Sequence, residues 1–214
     1  MKQSIINRIR ALGGDTSKMN GESMSADLCS ITFSTVLYRK PLDTPWAKVE
    51  EQEPIDGLGD FIQENLDLFK KDKERFFDTL YHTFFTLTEE PYGQYFWLGE
   101  KFTPFRKESK DFEEFHYLFD PPSPEFAKIL SVTNGVETDF VHLFYGFAYP
   151  DGIFVASVDK NPENPTVFGT DHEAFFYEID EEGDLESYLQ SFWTKDELRE
   201  VLEKYMEELS GGSL

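Results

Sequence analysis

Cysteine is almost missing from this chain: Cys29 is the only one in 214 residues. No intramolecular disulfide can form, which excludes the stapled scaffolds of small secreted domains and points to a reducing compartment. Long apolar runs are also lacking, and the first residues, Met1-Lys2-Gln3-Ser4-Ile5-Ile6-Asn7-Arg8, are charged and amphipathic without an apolar secretory segment. The expected location is therefore cytoplasmic, with no membrane association. Histidines number 4, and no Gly-x-Ser-x-Gly elbow accompanies them to suggest nucleophilic catalysis. The segment Gly13-Gly14-Asp15-Thr16-Ser17 follows a helical pattern instead of a strand. It lacks the Gly-Lys-Ser/Thr that would hold phosphate and magnesium, so it is not a phosphate loop.

Positive charge is the next scarcity. There are 20 Lys/Arg against 42 Asp/Glu, a net charge of −22. The imbalance is local: residues 1–50 hold 7 basic and 5 acidic side chains, which leaves 13 against 37 downstream. From residue 171 onward 14 acids face 3 bases, a field that repels nucleic-acid backbones and anionic lipid and steers a basic protein inward.

What the chain does have is aromatic bulk. With 22 Phe and aromatics at 16%, it carries far more apolar volume than a disordered acidic chain, and its length suits one good core. A single domain over 1–214 is expected, with 1–56 an N-terminal extension packed on a body of helices and sheet over 57–214. Any boundary would lie between Pro41 and Gly57.

Periodicity supplies the elements. Ile5, Ile6, Ile9 and Leu12 share a helical face that Gly13-Gly14 ends, and residues 31–38 read as one strand. Leu58, Phe61, Ile62, Leu66 and Phe69, then Phe76, Phe77, Leu80, Tyr81, Phe84 and Phe85, give two helices or one bent helix across a charged break at 70–74. Tyr95-Phe96-Trp97-Leu98 reads as a strand, and Phe112, Phe115 and Phe119 as a helical turn or two. Thr194-Lys195-Asp196-Glu197 matches a capping box, and Leu198, Val201, Leu202, Tyr205 and Leu209 form the apolar stripe of the helix behind it.

The most organised stretch is 121–193. Ser123 suits an N-cap, Pro124 a first helical position, and Asn134-Gly135 a helix stop. Two apolar runs, 140–147 and 153–158, flank Tyr149-Pro150-Asp151-Gly152 as a hairpin. Residues 166–169 and 174–179 read as further strands, and Leu185, Tyr188, Leu189, Phe192 and Trp193 restore helical spacing. The order is helix, strands, helix: an α+β fold with a mainly antiparallel sheet flanked by helices.

This order, with Pro124-Glu125-Phe126, Asn134-Gly135 and Tyr149-Pro150-Asp151-Gly152, resembles the SUKH superfamily of fungal cell-wall assembly regulators and bacterial toxin-immunity proteins, over the second half of the chain. The resemblance implies a module that works by binding another protein, with no cofactor and no reaction of its own. The leading expectation is an immunity protein that neutralises a toxin by binding and occlusion, its partner a basic protein with a secreted toxin domain among the candidates. The alternatives are an intracellular regulatory scaffold of the cell-wall assembly regulator type, or a metal-assisted hydrolase.

The expected contact surface is acidic: Asp180, Glu181, Glu182, Asp184 and Glu186 near the last strand and following helix, with Asp151, Asp159 and Glu163 from two loops. Tyr149 and Tyr188 serve as exposed aromatic anchors. For metal binding the best local grouping is Asp171-His172-Glu173 with Asp159 one strand away, but three consecutive side chains point apart, so it reads as a solvated turn. His82, His116 and His142 read as structural histidines.

Overall fold

Short polar side chains set most helix ends. The computed structural model describes residues 1–40, 55–87, 93–146 and 151–211. Helix α1 (Gln3–Ala11) stops before Gly13, whose φ is 98°. Helix α2 (Met24–Ser30) begins on Ser23, whose side chain accepts the Ala26 N–H. The long aromatic stretch is two helices, α3 (Leu58–Lys71) and α4 (Lys73–Phe84), because Asp72 interrupts it and caps the second by accepting the Arg75 N–H at 3.1 Å. Helix α5 (Lys110–Phe115) starts on Ser109 and runs into a 3-10 turn, His116–Leu118. Helix α6 (Phe126–Val132) begins two residues later than Pro124, because the Ser123 hydroxyl takes the Glu125 N–H and holds a tight turn ahead of the helix. It ends as expected: Asn134 and Gly135 are left-handed (φ 56° and 77°). The Gly135 N–H donates back to the Leu130 carbonyl at 2.8 Å. Asp184 caps α7 (Leu185–Gln190), and the capping box opening α8 (Lys195–Gly211) is reciprocal. The Thr194 N–H donates to Glu197 Oε2 at 2.9 Å and the Glu197 N–H to Thr194 Oγ1 at 3.1 Å.

The expected strand over 31–38 is instead two short ones in different sheets. Ser34 and Thr35 form a bend between them, and the Thr35 hydroxyl donates to the Val36 carbonyl. One, β2 (Thr32–Phe33), pairs with β1 (Gly14–Asp15). The other, β3 (Leu37–Tyr38), opens a six-stranded antiparallel meander with β4 (Gln94–Phe102), β5 (Phe140–Gly146), β6 (Gly152–Ala156), β7 (Thr166–Thr170) and β8 (Asp180–Asp184), in that spatial order. The fold is thus α+β with a curled antiparallel sheet flanked by helices. Tyr149 and Pro150 of the expected hairpin turn, and most of the irregular connection before Gly57, lie outside the described residues.

The strand expected at 174–179 is a correction. Asp171 accepts the N–H groups of Glu173 and Ala174, the Phe175 N–H returns to the Asp171 carbonyl, and Phe175 sits at φ 32°. The chain therefore turns, with a 3-10 segment at Phe175–Tyr177, and Phe176 and Ile179 reach the core at a spacing of three. The last strand is the acidic run itself, held by backbone pairing to β7 while its side chains stay in water.

Both faces of the sheet are covered, which is why β5, β6 and β7 read as nearly continuous apolar runs. On one face Val141, Leu143, Ile153, Val155 and Val167 meet α1, α2 and α7. On the other, Phe102, Phe140, Phe154 and Phe168 meet α6 and the 175–177 turn. Helices α3, α4 and α8 form a third cluster with Tyr38 of β3. Arg8 ties α1 to the α7–α8 junction: it donates to the Leu189 and Phe192 carbonyls and makes two hydrogen bonds, 2.9 and 3.0 Å, to Glu197. Burial pushes the Glu197 carboxyl up, but Arg8, the Thr194 N–H and Lys40 outweigh it and hold it down at about 2. Its stabilising share is fully present above its ordinary value of 4.5 and lost as pH falls toward 2. Glu197→Gln, which keeps the capping geometry, is expected to lower the unfolding free energy at pH 7 by about 1–2 kcal/mol. Urea titrations should show the gap to wild type closing between pH 4.5 and 2; a gap constant across that range contradicts the role.

Candidate functional site

The two ends of the sheet meet. Six flat strands would place β3 and β8 roughly 24 Å apart, since neighbours are about 4.8 Å apart. Yet Arg39, next after β3, reaches Glu182 of β8 at 3.7 Å. The Arg39 guanidinium lies over the rings of Tyr95, Tyr188 and Phe192 at 5.1, 4.7 and 5.9 Å, and Nη2 donates to the Tyr188 hydroxyl. Around it the chain is pinned to the α7–α8 junction: the Lys40 N–H donates to the Ser191 carbonyl and the Trp193 N–H to the Tyr38 carbonyl. Burial pushes the Tyr188 hydroxyl well above its ordinary value, so it stays protonated at neutral pH.

The curl leaves a groove of about 340 Å³. It is lined by Arg39 and Tyr95 and by the carboxylates of Asp151, Asp171, Glu178, Asp180 and Glu182, together with Ile153 and Gly169. At Gly169 a Cβ would sit 3.2 Å from Glu182 Oε1, so the missing side chain leaves room for that carboxylate over β7. Arg39 is the one cation among the lining residues, and its charge is already matched by Glu182 and the rings. The groove is therefore suited to a cationic guest and unsuited to an anion. Asp171 is held below the usual carboxylate range by the N–H groups of Glu173 and Ala174.

Two of the lining carboxylates, Asp151 and Asp171, come together with His172, their ligand atoms within 4.8 Å of one another. His172 Nδ1 lies 2.9 Å from Asp151 Oδ1, which also accepts the His172 N–H at 3.2 Å. This clasp is open to solvent and no ion is assigned to it. Glu173 is not part of it, and Asp159 belongs elsewhere: its carboxylate accepts the Asn161 and Thr166 N–H groups within its own loop. The other chemistry-bearing side chains are structural. Burial pushes His142 down to about 4, neutral against Phe102. His116 stacks on Phe112, and burial pushes the Cys29 thiol up, away from reactivity.

The residues expected on the contact surface separate into groups. Asp180, Glu181 and Glu182 stand exposed on β8, and Glu163 is also exposed. Asp184 caps α7 through the Ser187 N–H, and Glu186 pairs with Lys2 at 2.9 Å. Two expectations are corrected. Asp159 is 6% exposed and serves its loop, while Tyr188 is 3% exposed because it packs on Phe144 and Phe192 beneath Arg39. Tyr149 lies outside the described residues. Sequence reasoning missed Arg39, Tyr95 and Glu178, which no local pattern connects to the acids, and overlooked the exposed aromatic Tyr177 beside Glu178. No family model, curated protein or solved structure matches this chain. Among the described residues, no helix is long and apolar enough to cross a membrane.

If Arg39 holds the curl, Arg39→Lys should cost about 1–2 kcal/mol of stability, because an ammonium cannot both stack and span the same partners, and Arg39→Ala about 2–4 kcal/mol. Urea unfolding measures both; an alanine variant within about 0.5 kcal/mol of wild type, the range of neutral surface changes, contradicts the assignment.

Proposed function

We propose that this chain is a non-catalytic protein-binding module that captures a basic protein on the acidic wall formed by β8 and the groove behind it. The observation that carries the reading is the concentration of carboxylates at one end of the sheet. Asp180, Glu181 and Glu182 stand on β8, the edge strand of the sheet among the described residues, and Asp151, Asp171 and Glu178 join Asp180 and Glu182 around a cavity. Charged side chains on an edge strand keep it from pairing with another copy of itself. The same charges attract a cationic surface and raise its rate of arrival. Tyr177, 53% exposed next to Glu178, is placed to act as the aromatic anchor that Tyr188 does not supply. The resemblance to the SUKH superfamily favours an immunity protein acting by occlusion of a toxin, with a regulatory scaffold as the other form of the same activity.

Affinity capture from the source cell, using wild-type protein beside a D180K/E181K/E182K variant, tests this. A basic protein should be retained by wild type alone, and its association rate should drop about tenfold or more on charge reversal at low salt. Retention of the same partner at an unchanged rate by the reversed variant contradicts the proposal.

A further inference from the structure

A titratable group lies against two carboxylates that line the groove. The carboxylates are Asp151 and Asp171, the group is His172, and Asp151 accepts from the His172 backbone while contacting its ring. The charged groups facing this imidazole are Asp151 ahead of β6 and Asp171 and Glu173 on its own turn, all of them carboxylates. Its side chain is 34% exposed, so it exchanges protons with bulk water while touching the wall. The remaining histidines have other surroundings: His142 is buried against Phe102, His116 stacks on Phe112, and His82 lines a separate cavity beside Lys195, Tyr81 and Phe85. From this placement we propose that His172 regulates the groove: while protonated it offsets the wall carboxylates Asp151 and Asp171, and once neutral it leaves a more negative groove that holds a basic partner more tightly. The inference rests on the acidic-capture reading given above and adds its regulation.

The direction follows from the surroundings. The contact with Asp151 raises the His172 pKa above its ordinary value of 6.5, outweighing the opposing effect of burial, with smaller contributions from Asp171 and Glu173. The clasp is therefore charged at and below that value and loses its charge as pH rises through the higher one. Clasp stability and partner affinity then move in opposite directions with rising pH, which a merely structural histidine would not produce.

A hexa-arginine peptide serves as the probe. Its affinity is measured by calorimetry from pH 5.5 to 8.5 at fixed low ionic strength, for wild type and His172→Gln, while proton NMR follows the His172 ring. Wild-type affinity should rise about threefold, the effect of one screened charge near the guest, over the interval in which the ring titrates. His172→Gln should show the high-pH affinity throughout. A flat wild-type profile with the peptide bound, or an equal slope in the variant, overturns the regulatory role and leaves acidic capture standing. Absence of binding by either protein at every pH overturns acidic capture and the regulation with it.

Discussion

Arg39 stands where the first and last strands of the curled sheet come together, and the rest of the groove follows from its position. The guanidinium is planar, permanently charged and weakly hydrated, so it can lie against Tyr95, Tyr188 and Phe192 while its edge meets the Tyr188 hydroxyl and Glu182. Each ring contact is worth about 0.5–2 kcal/mol; Tyr95 lies on the neighbouring strand β4 and Tyr188 on α7, while the contact with Glu182 is the one that reaches β8. The backbone bonds from Lys40 to Ser191 and from Trp193 to Tyr38 hold the same junction. Arg8 and Glu197 secure it from the helical side.

With the sheet curled, acids far apart in sequence share one cavity. Carboxylates of β8 and of the turns after β7 and before β6 stand close enough to add their fields, and they tolerate this because most remain in water. Mutual repulsion is reduced by backbone N–H groups at Asp171 and by the cation of Arg39 at Glu182. The arrangement favours a positively charged visitor, and its strength falls with salt because the screening length is about 8 Å at physiological ionic strength. The neutral, buried His142 belongs to the core and takes no part in this field.

Two helix ends were legible because their signals are local: the Thr194–Glu197 box and Asn134-Gly135 act within five residues of where they stand, whereas the Asp72 cap that separates α3 from α4 was read only as a charged break. The strands over 140–146, 152–156 and 166–170 were legible from bulk and β-branching. Strand β8 was not, because Asp and Glu are poor strand formers and only pairing with β7 makes that segment extended. The apolar residues at 174–179 suggested a strand, yet a single carboxylate, Asp171, turned the chain. The groove was hidden for a different reason: Arg39, Tyr95, Asp151 and Glu182 meet only after the whole sheet has formed and curled. Tyr188 was the avoidable error, since its spacing with Leu185, Leu189 and Phe192 already placed it on the apolar face of α7.

The most direct test of the Arg39 junction is a double-mutant cycle between Arg39→Met and Tyr188→Phe, with unfolding free energies from urea titration. If the guanidinium fastens the chain after β3 to α7 through this hydroxyl, the two losses should be coupled by about 1 kcal/mol or more. Losses that add within about 0.3 kcal/mol would mean that the residues do not act together, and the junction would have lost the contact that holds it.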